Sequence, residues 1–159
     1  MDCHEFANAN SRNDKKFAMI NLLKRKTMNN TRFAKRLEHF TRAFLNLQEV
    51  ARSHQKNFSN LEKEGIIQRF EILIELSWKV MKSYLELQGF EVKSPKESVR
   101  KAFELGLIKN PQAWLEALDI RNITSHTYTQ SELDENVRYI LGEFYPLVEA
   151  LQANLEARK

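Results

Sequence analysis

The chain has 159 residues, 42% apolar and 29% charged, with only 4 Gly and 3 Pro. That is enough sequence to bury one core without disulfide or metal staples, and so few turn residues imply few, long elements. A single cysteine, Cys3, rules out an internal disulfide and a thiolate metal site; no window reaches the length of a membrane span; and residues 1–27 lack a signal peptide's apolar block. A reducing, cytoplasmic setting is the expectation.

The net charge of +4 is unevenly spread. Residues 1–36 hold nine Lys and Arg against Asp2, Glu5 and Asp14, a surplus of +6, so the rest of the chain sums to −2. The basic character therefore belongs to the leading segment, and any contact between the body and RNA must be local. Residues 1–30 are expected to be a flexible basic extension, with Met28 available as a second start. The sharper alternative, an arm that grips RNA, rests on charge alone.

From Thr31, a good N-cap, Phe33, Leu37, Phe40, Phe44, Leu47 and Ala51 recur at spacings of three and four and predict a first helix. A second begins at Ser59-Asn60 or at Gly65 and runs to Gln88, with Ile66, Phe70, Leu73, Val80, Met81, Tyr84 and Leu85 as its apolar stripe and Gly89 as its stop. Ser94, Pro95 and Glu97 carry the capping-box signature of a short third helix ended by Gly106. Asn110-Pro111 opens a fourth, with Trp114, Leu115, Leu118 and Ile120. A fifth starts at Ser131-Glu132 and continues past Leu151, kinked by Pro146. No window alternates with period two, and no Asn-Gly or Asp-Gly hairpin turn occurs. One all-α domain, residues 31–159, follows: an antiparallel up-and-down bundle of four to five helices.

The chain has no Gly-rich phosphate loop, no dinucleotide fingerprint, no H-E-x-x-H and no G-x-S-x-G. His4, His39, His54 and His126 are scattered, so neither a metal nor a cofactor is expected. The stretch Arg121-Asn122-Ile123-Thr124-Ser125-His126-Thr127-Tyr128 does not read as packing, because Asn, Thr and Ser are poor choices for a helix interior. If the fourth helix continues through it, Asn122 and His126 share a face and Tyr128 returns to the side of Arg121, so that four polar groups converge at one end of the bundle. The plainer reading pairs Arg121 with Asp119 or Glu116 and leaves His126 and Tyr128 as helix caps. Arg and His together suit phosphate chemistry, the one as a charged fork and the other as a proton carrier near neutral pH. Trp78, Phe70 and Tyr84 read as core, and Glu71, Glu75, Lys79 and Lys82 as surface ion pairs along one helix.

Four ordered segments, Gln68-Arg69-Phe70-Glu71 through Glu75-Leu76-Ser77-Trp78-Lys79, Ser94-Pro95-Lys96-Glu97, Ala102 to Ile108, and Arg121 to Tyr128, make the chain from about Thr31 to Leu151 resemble the nucleotidyltransferase substrate-binding protein family of the HEPN superfamily. The resemblance implies a bundle like the helical domain of kanamycin nucleotidyltransferase, a homodimer, and a separately encoded minimal nucleotidyltransferase as partner. In the toxins of that superfamily the Arg and His of the Arg-x4-6-His motif, here Arg121 and His126, serve a metal-independent ribonuclease. The Tyr two residues on, here Tyr128, is the one an antitoxin nucleotidyltransferase modifies with AMP. Asn122, Ser125 and Asp119 are supporting polar candidates. Ile120, Thr129 and Gln130 depart from relatives that carry acidic residues there, which bears on how the partner docks.

Two functions compete: a ribonuclease toxin silenced through Tyr128, and a non-catalytic subunit that presents substrate to a nucleotidyltransferase. The complete motif favours the first. The near-neutral body favours the second, because a nuclease without a basic groove grips RNA weakly. A purely structural adaptor leaves the polar stretch unexplained.

Overall fold

The computed structural model describes the backbone of residues 3–126 and 129–158, and side chains from residue 12 onward. It contains α1 (Cys3–Ala51), α2 (Asn60–Leu87), α3 (Pro95–Glu104), α4 (Pro111–Thr124), α5 (Gln130–Tyr139), a π turn (Ile140–Phe144) and α6 (Tyr145–Glu156), with no strand among the described residues. The all-α antiparallel bundle expected from the periodicity is what forms.

The caps settle the helix boundaries. Ser59, not Gly65, starts α2: its hydroxyl accepts from Glu62 N–H while the Glu62 carboxylate accepts from Ser59 N–H. At α3 the Ser94 hydroxyl accepts from Glu97 N–H, but the Glu97 carboxylate reaches past the cap to Lys93 N–H at 2.8 Å, so the expected box is only half made. The cap of α5 lies two residues before the expected Ser131, at Thr129, because Thr129 and Glu132 form a complete capping box first. Thr31 caps nothing. It lies inside α1 and donates back to Thr27 O, and the helix runs on through the basic segment, where residues 12–28 are exposed. Gly89 (φ 87°) and Gly106 (φ 71°) end α2 and α3 in the left-handed region. The 6→1 bonds Phe90 N–H to Leu85 O and Leu107 N–H to Ala102 O close the two turns.

Cross-helix bonds give the directions. Arg36 donates to Ser83 Oγ at 2.7 Å and Arg69 to Asn46 O, so α1 and α2 are antiparallel. Thr41 with Gln152 and Arg52 with Glu149 make α1 and α6 antiparallel as well. α2 is the central helix and touches α1, α3, α4 and α5. The interior is aromatic where α2, α4 and the π turn meet: Phe144 stands edge-on to Phe70 at 4.7 Å and to Trp114 at 6.1 Å, all three essentially without solvent contact. Each such side chain contributes on the order of 2–3 kcal/mol by leaving water. Pro146 acts on its helix through the π turn: with no N–H of its own, it follows a step in which Tyr145 N–H bonds Ile140 O.

The α1–α2 loop and α5 lie together, where Lys63 of α2 meets Asp134 of α5, whereas α4 ends part-way along α2, with Thr124 level with Glu71.

Candidate active site

α4 is driven into the bundle by Trp114, Ala117 and Leu118 and started by Asn110, whose side-chain oxygen accepts from Ala113 N–H at 3.2 Å. Its last turn is polar for a reason the sequence obscures. A helix leaves its final carbonyls without partners. Here Thr124 Oγ1 donates to Arg121 O at 3.0 Å, Ser125 Oγ to Asn122 O at 3.2 Å, and His126 N–H to Ile123 O at 3.0 Å. Part of the polarity expected to serve chemistry therefore serves to close the helix.

That closure corrects the geometry expected of the motif. α4 stops at Thr124, so Asn122 and His126 are not successive turns of one helix; His126 sits in the turn beyond it. Arg121, Asn122, Ser125 and His126 are all exposed, on the last turn of α4 and the turn beyond it. Asp119 faces the other way and pairs with Lys96 of α3 at 3.1 Å, so it is not the partner of Arg121. Tyr128, with Thr127, lies outside the described residues.

What faces Arg121 and Thr124 comes from α2. In antiparallel register, Glu71 lies opposite Thr124 and Glu75 opposite Arg121. Thr124, 5% exposed, donates to Glu71 Oε1 at 2.8 Å, tying the last turn of α4 to the central helix. Glu75 accepts from the Trp78 indole N–H and the Lys79 ammonium, both at 2.9 Å. Burial alone would raise its carboxyl, but those two donors and the charge of Arg121 outweigh it and hold the group below the usual carboxylate range. The pairing of Glu75 with Lys79 follows from their spacing, whereas the engagement of Glu71 and Glu75 with α4 does not. The only signal was that both lie in the segment of α2 that carries the family resemblance.

The arrangement is thus an Arg on a helix's last turn and a His in the turn after it, both open to solvent, on a turn closed by side-chain caps and tied to α2 through Thr124 and Glu71. An exposed cation and an exposed imidazole so held can bind a phosphate and move a proton. Among the described residues no three His, Cys, Asp or Glu side chains gather as a metal-ion site.

A helical bundle that carries such a polar turn is the class that fold and site define. Residues 35–157 match the family described as nucleotidyltransferase substrate binding protein like, and the chain belongs to that family. A curated relative from Haemophilus influenzae, described as a probable ribonuclease HepT, is 40% identical over 73 residues; these are 43% of this chain and 50% of the relative, so the chain spans about half that protein's length. A protein of Thermus thermophilus, known from a crystal structure, matches with a TM-score of 0.66 at 33% identity, covering 73% of this chain and 98% of the other. No helix among the described residues is long and apolar enough to cross a membrane.

Proposed function

We propose that the chain is a metal-independent endoribonuclease of the HEPN type, held in check by a separately encoded nucleotidyltransferase. The observation that carries this reading is the placement of Arg121 and His126, both exposed, on the side-chain-capped turn that closes α4. It is supported by the name of the Haemophilus relative. His126 takes the proton from a ribose 2′-hydroxyl, the 2′-oxygen attacks the adjacent phosphorus, and Arg121 stabilises the negative charge that builds on the phosphoryl oxygens. The bond to the 5′-oxygen then breaks and that oxygen receives a proton, leaving a cyclic phosphate. One chain has one such His, so a homodimer that apposes two motifs supplies the base and the acid together. AMP on Tyr128, two residues after His126 in sequence, would add a phosphodiester charge and an adenosine that compete with an RNA phosphate by charge and by volume.

The purified protein in EDTA should cleave RNA, and neither Arg121→Ala nor His126→Ala should. With the partner and ATP, AMP mass should appear on wild type and not on Tyr128→Phe, which should stay active. Cleavage persisting in both Ala variants would remove the ribonuclease reading. The second reading, a non-catalytic subunit that presents substrate to a nucleotidyltransferase, draws on the family's own description and on the body's slight negative charge. It predicts no cleavage by wild type and a partner whose transfer activity depends on this chain.

A further inference from the structure

Both oxygens of the Glu75 carboxylate are held, although the side chain is 35% exposed: the Trp78 indole N–H donates to Oε2 and the Lys79 ammonium to Oε1, each at 2.9 Å. A glutamate on a helix surface needs only one such partner, and a Lys four residues on supplies it. The second donor removes the carboxylate's remaining freedom of rotation. Glu71 and Glu75 stand one turn apart on α2, and Thr124 and Arg121 one turn apart on α4. With the two helices antiparallel, the 2.8 Å bond from Thr124 to Glu71 brings Glu75 level with Arg121. The Arg121 guanidinium is exposed and makes no hydrogen bond or ion pair among the described residues, although its charge acts on the Glu75 carboxyl. Asp119, two residues before it, is taken by Lys96. A side chain with a fixed direction thus stands opposite one whose direction no contact fixes.

We infer that Glu75 is a positioning residue for the ribonuclease reaction: fixed by Trp78 and Lys79, its carboxylate restrains the Arg121 guanidinium on the α2 side of α4, where the guanidinium meets the scissile phosphate. The inference rests on the ribonuclease reading and deepens it. A long, exposed arginine samples many rotamers, and holding a catalytic group in a single one lowers the barrier. Because Glu75 and Arg121 are not in ion-pair contact, the guanidinium's fork of donors stays free for phosphate. The sign of the effect separates positioning from bare charge. As a charge alone, a carboxylate near a phosphate site repels the substrate, so its removal should improve RNA binding and cleavage. As a positioning group, its removal should slow the chemical step even though the repulsion is gone. If Glu75 serves only to satisfy the Trp78 N–H, its removal should have no kinetic effect.

The test uses two variants of the full chain: Glu75→Gln, which keeps an oxygen for the indole and removes the charge, and Trp78→Phe, which keeps a ring and removes the indole N–H. On a single-stranded oligoribonucleotide, Glu75→Gln should lower kcat by about tenfold or more with KM unchanged or lower, and Trp78→Phe should lower kcat less. In the Glu75→Gln background Trp78→Phe should add nothing further, because it acts through that carboxylate. A readout independent of cleavage is the Arg121 Nε–H resonance, whose relaxation should report a more mobile guanidinium in Glu75→Gln than in wild type. A Glu75→Gln protein that cleaves as fast as wild type, or faster, would overturn the inference alone. So would a slower Glu75→Gln protein with an unchanged guanidinium and a matching loss of stability, which would make Glu75 structural. Additive losses from the two substitutions would remove Trp78 from the arrangement and overturn it as stated. Wild type that leaves RNA intact would overturn the ribonuclease reading and the inference with it.

Discussion

The helices of this bundle stop by different chemistry. α2 and α3 end at Gly89 and Gly106, which take left-handed backbone conformations and are closed by 6→1 backbone bonds. α4 ends without a glycine, and Thr124 and Ser125 meet its last carbonyls with their side chains. A glycine turn brings no functional group with it. A side-chain-capped end concentrates hydroxyls and carboxylates by necessity, and there Arg121 and His126 find a rigid polar frame. Closure and chemistry share one set of residues at that end, which is why the polarity of 121–126 exceeds what either would require alone.

Substitutions can separate the two roles. The largest expected effect on function is from Arg121→Ala and His126→Ala, each lowering cleavage by about 10²–10⁴-fold while leaving stability within about 0.5 kcal/mol, since both side chains are exposed. Cleavage rates beside thermal melts check this, and a large loss of stability would mean that the turn is structural first. Trp114→Ala should cost about 3–5 kcal/mol by emptying the centre of the core against Phe144, read by denaturant unfolding, and should disable both kinds of helix end together.

Smaller effects sharpen the contrast. Gly106→Ala should cost about 1–2 kcal/mol from the positive φ alone, because an added Cβ would meet nothing within 4 Å. Cleavage should be unchanged at temperatures where the variant is folded. Thr124→Val should cost only about 1 kcal/mol for its lost bonds to Glu71 and Arg121 O, yet it should lower kcat, because it loosens the turn that places His126. If Thr124→Val cleaved as fast as Gly106→Ala, the capped end would have no special claim on the chemistry.

The smallest effect concerns acid. The Glu75 carboxyl is depressed in the folded chain, so its contribution is fully present above its ordinary value of 4.5 and is lost as pH falls through the lower folded value. The stability difference between wild type and Glu75→Gln should therefore shrink on acidification through that window. Chemical denaturation across pH measures it, and a difference that grew toward low pH would contradict the assigned sign.

Periodicity and cap signatures made the helices legible from sequence because they depend on neighbours within four residues: the stripe of Phe33 to Leu47, the Ser59–Glu62 box, and the stops at Gly89 and Gly106. Even so, α5 is capped by Thr129 with Glu132 and not by the expected Ser131, and Lys63 of α2 bonds Asp134 of α5. The motif residues were legible as types, Arg121 and His126 above all. Their frame was not. Whether α4 continued through His126 or stopped at Thr124 depended on carbonyls being met by Thr124 and Ser125. That Glu71 and Glu75 face α4 instead of serving only their own helix followed from the antiparallel register of two segments about fifty residues apart. The junction of α2 with α5 depends likewise on register, with Lys63 of one reaching Asp134 of the other. Local bonds write themselves into spacing along the chain, whereas contacts between distant helices are decided only when burial of the core sets their register.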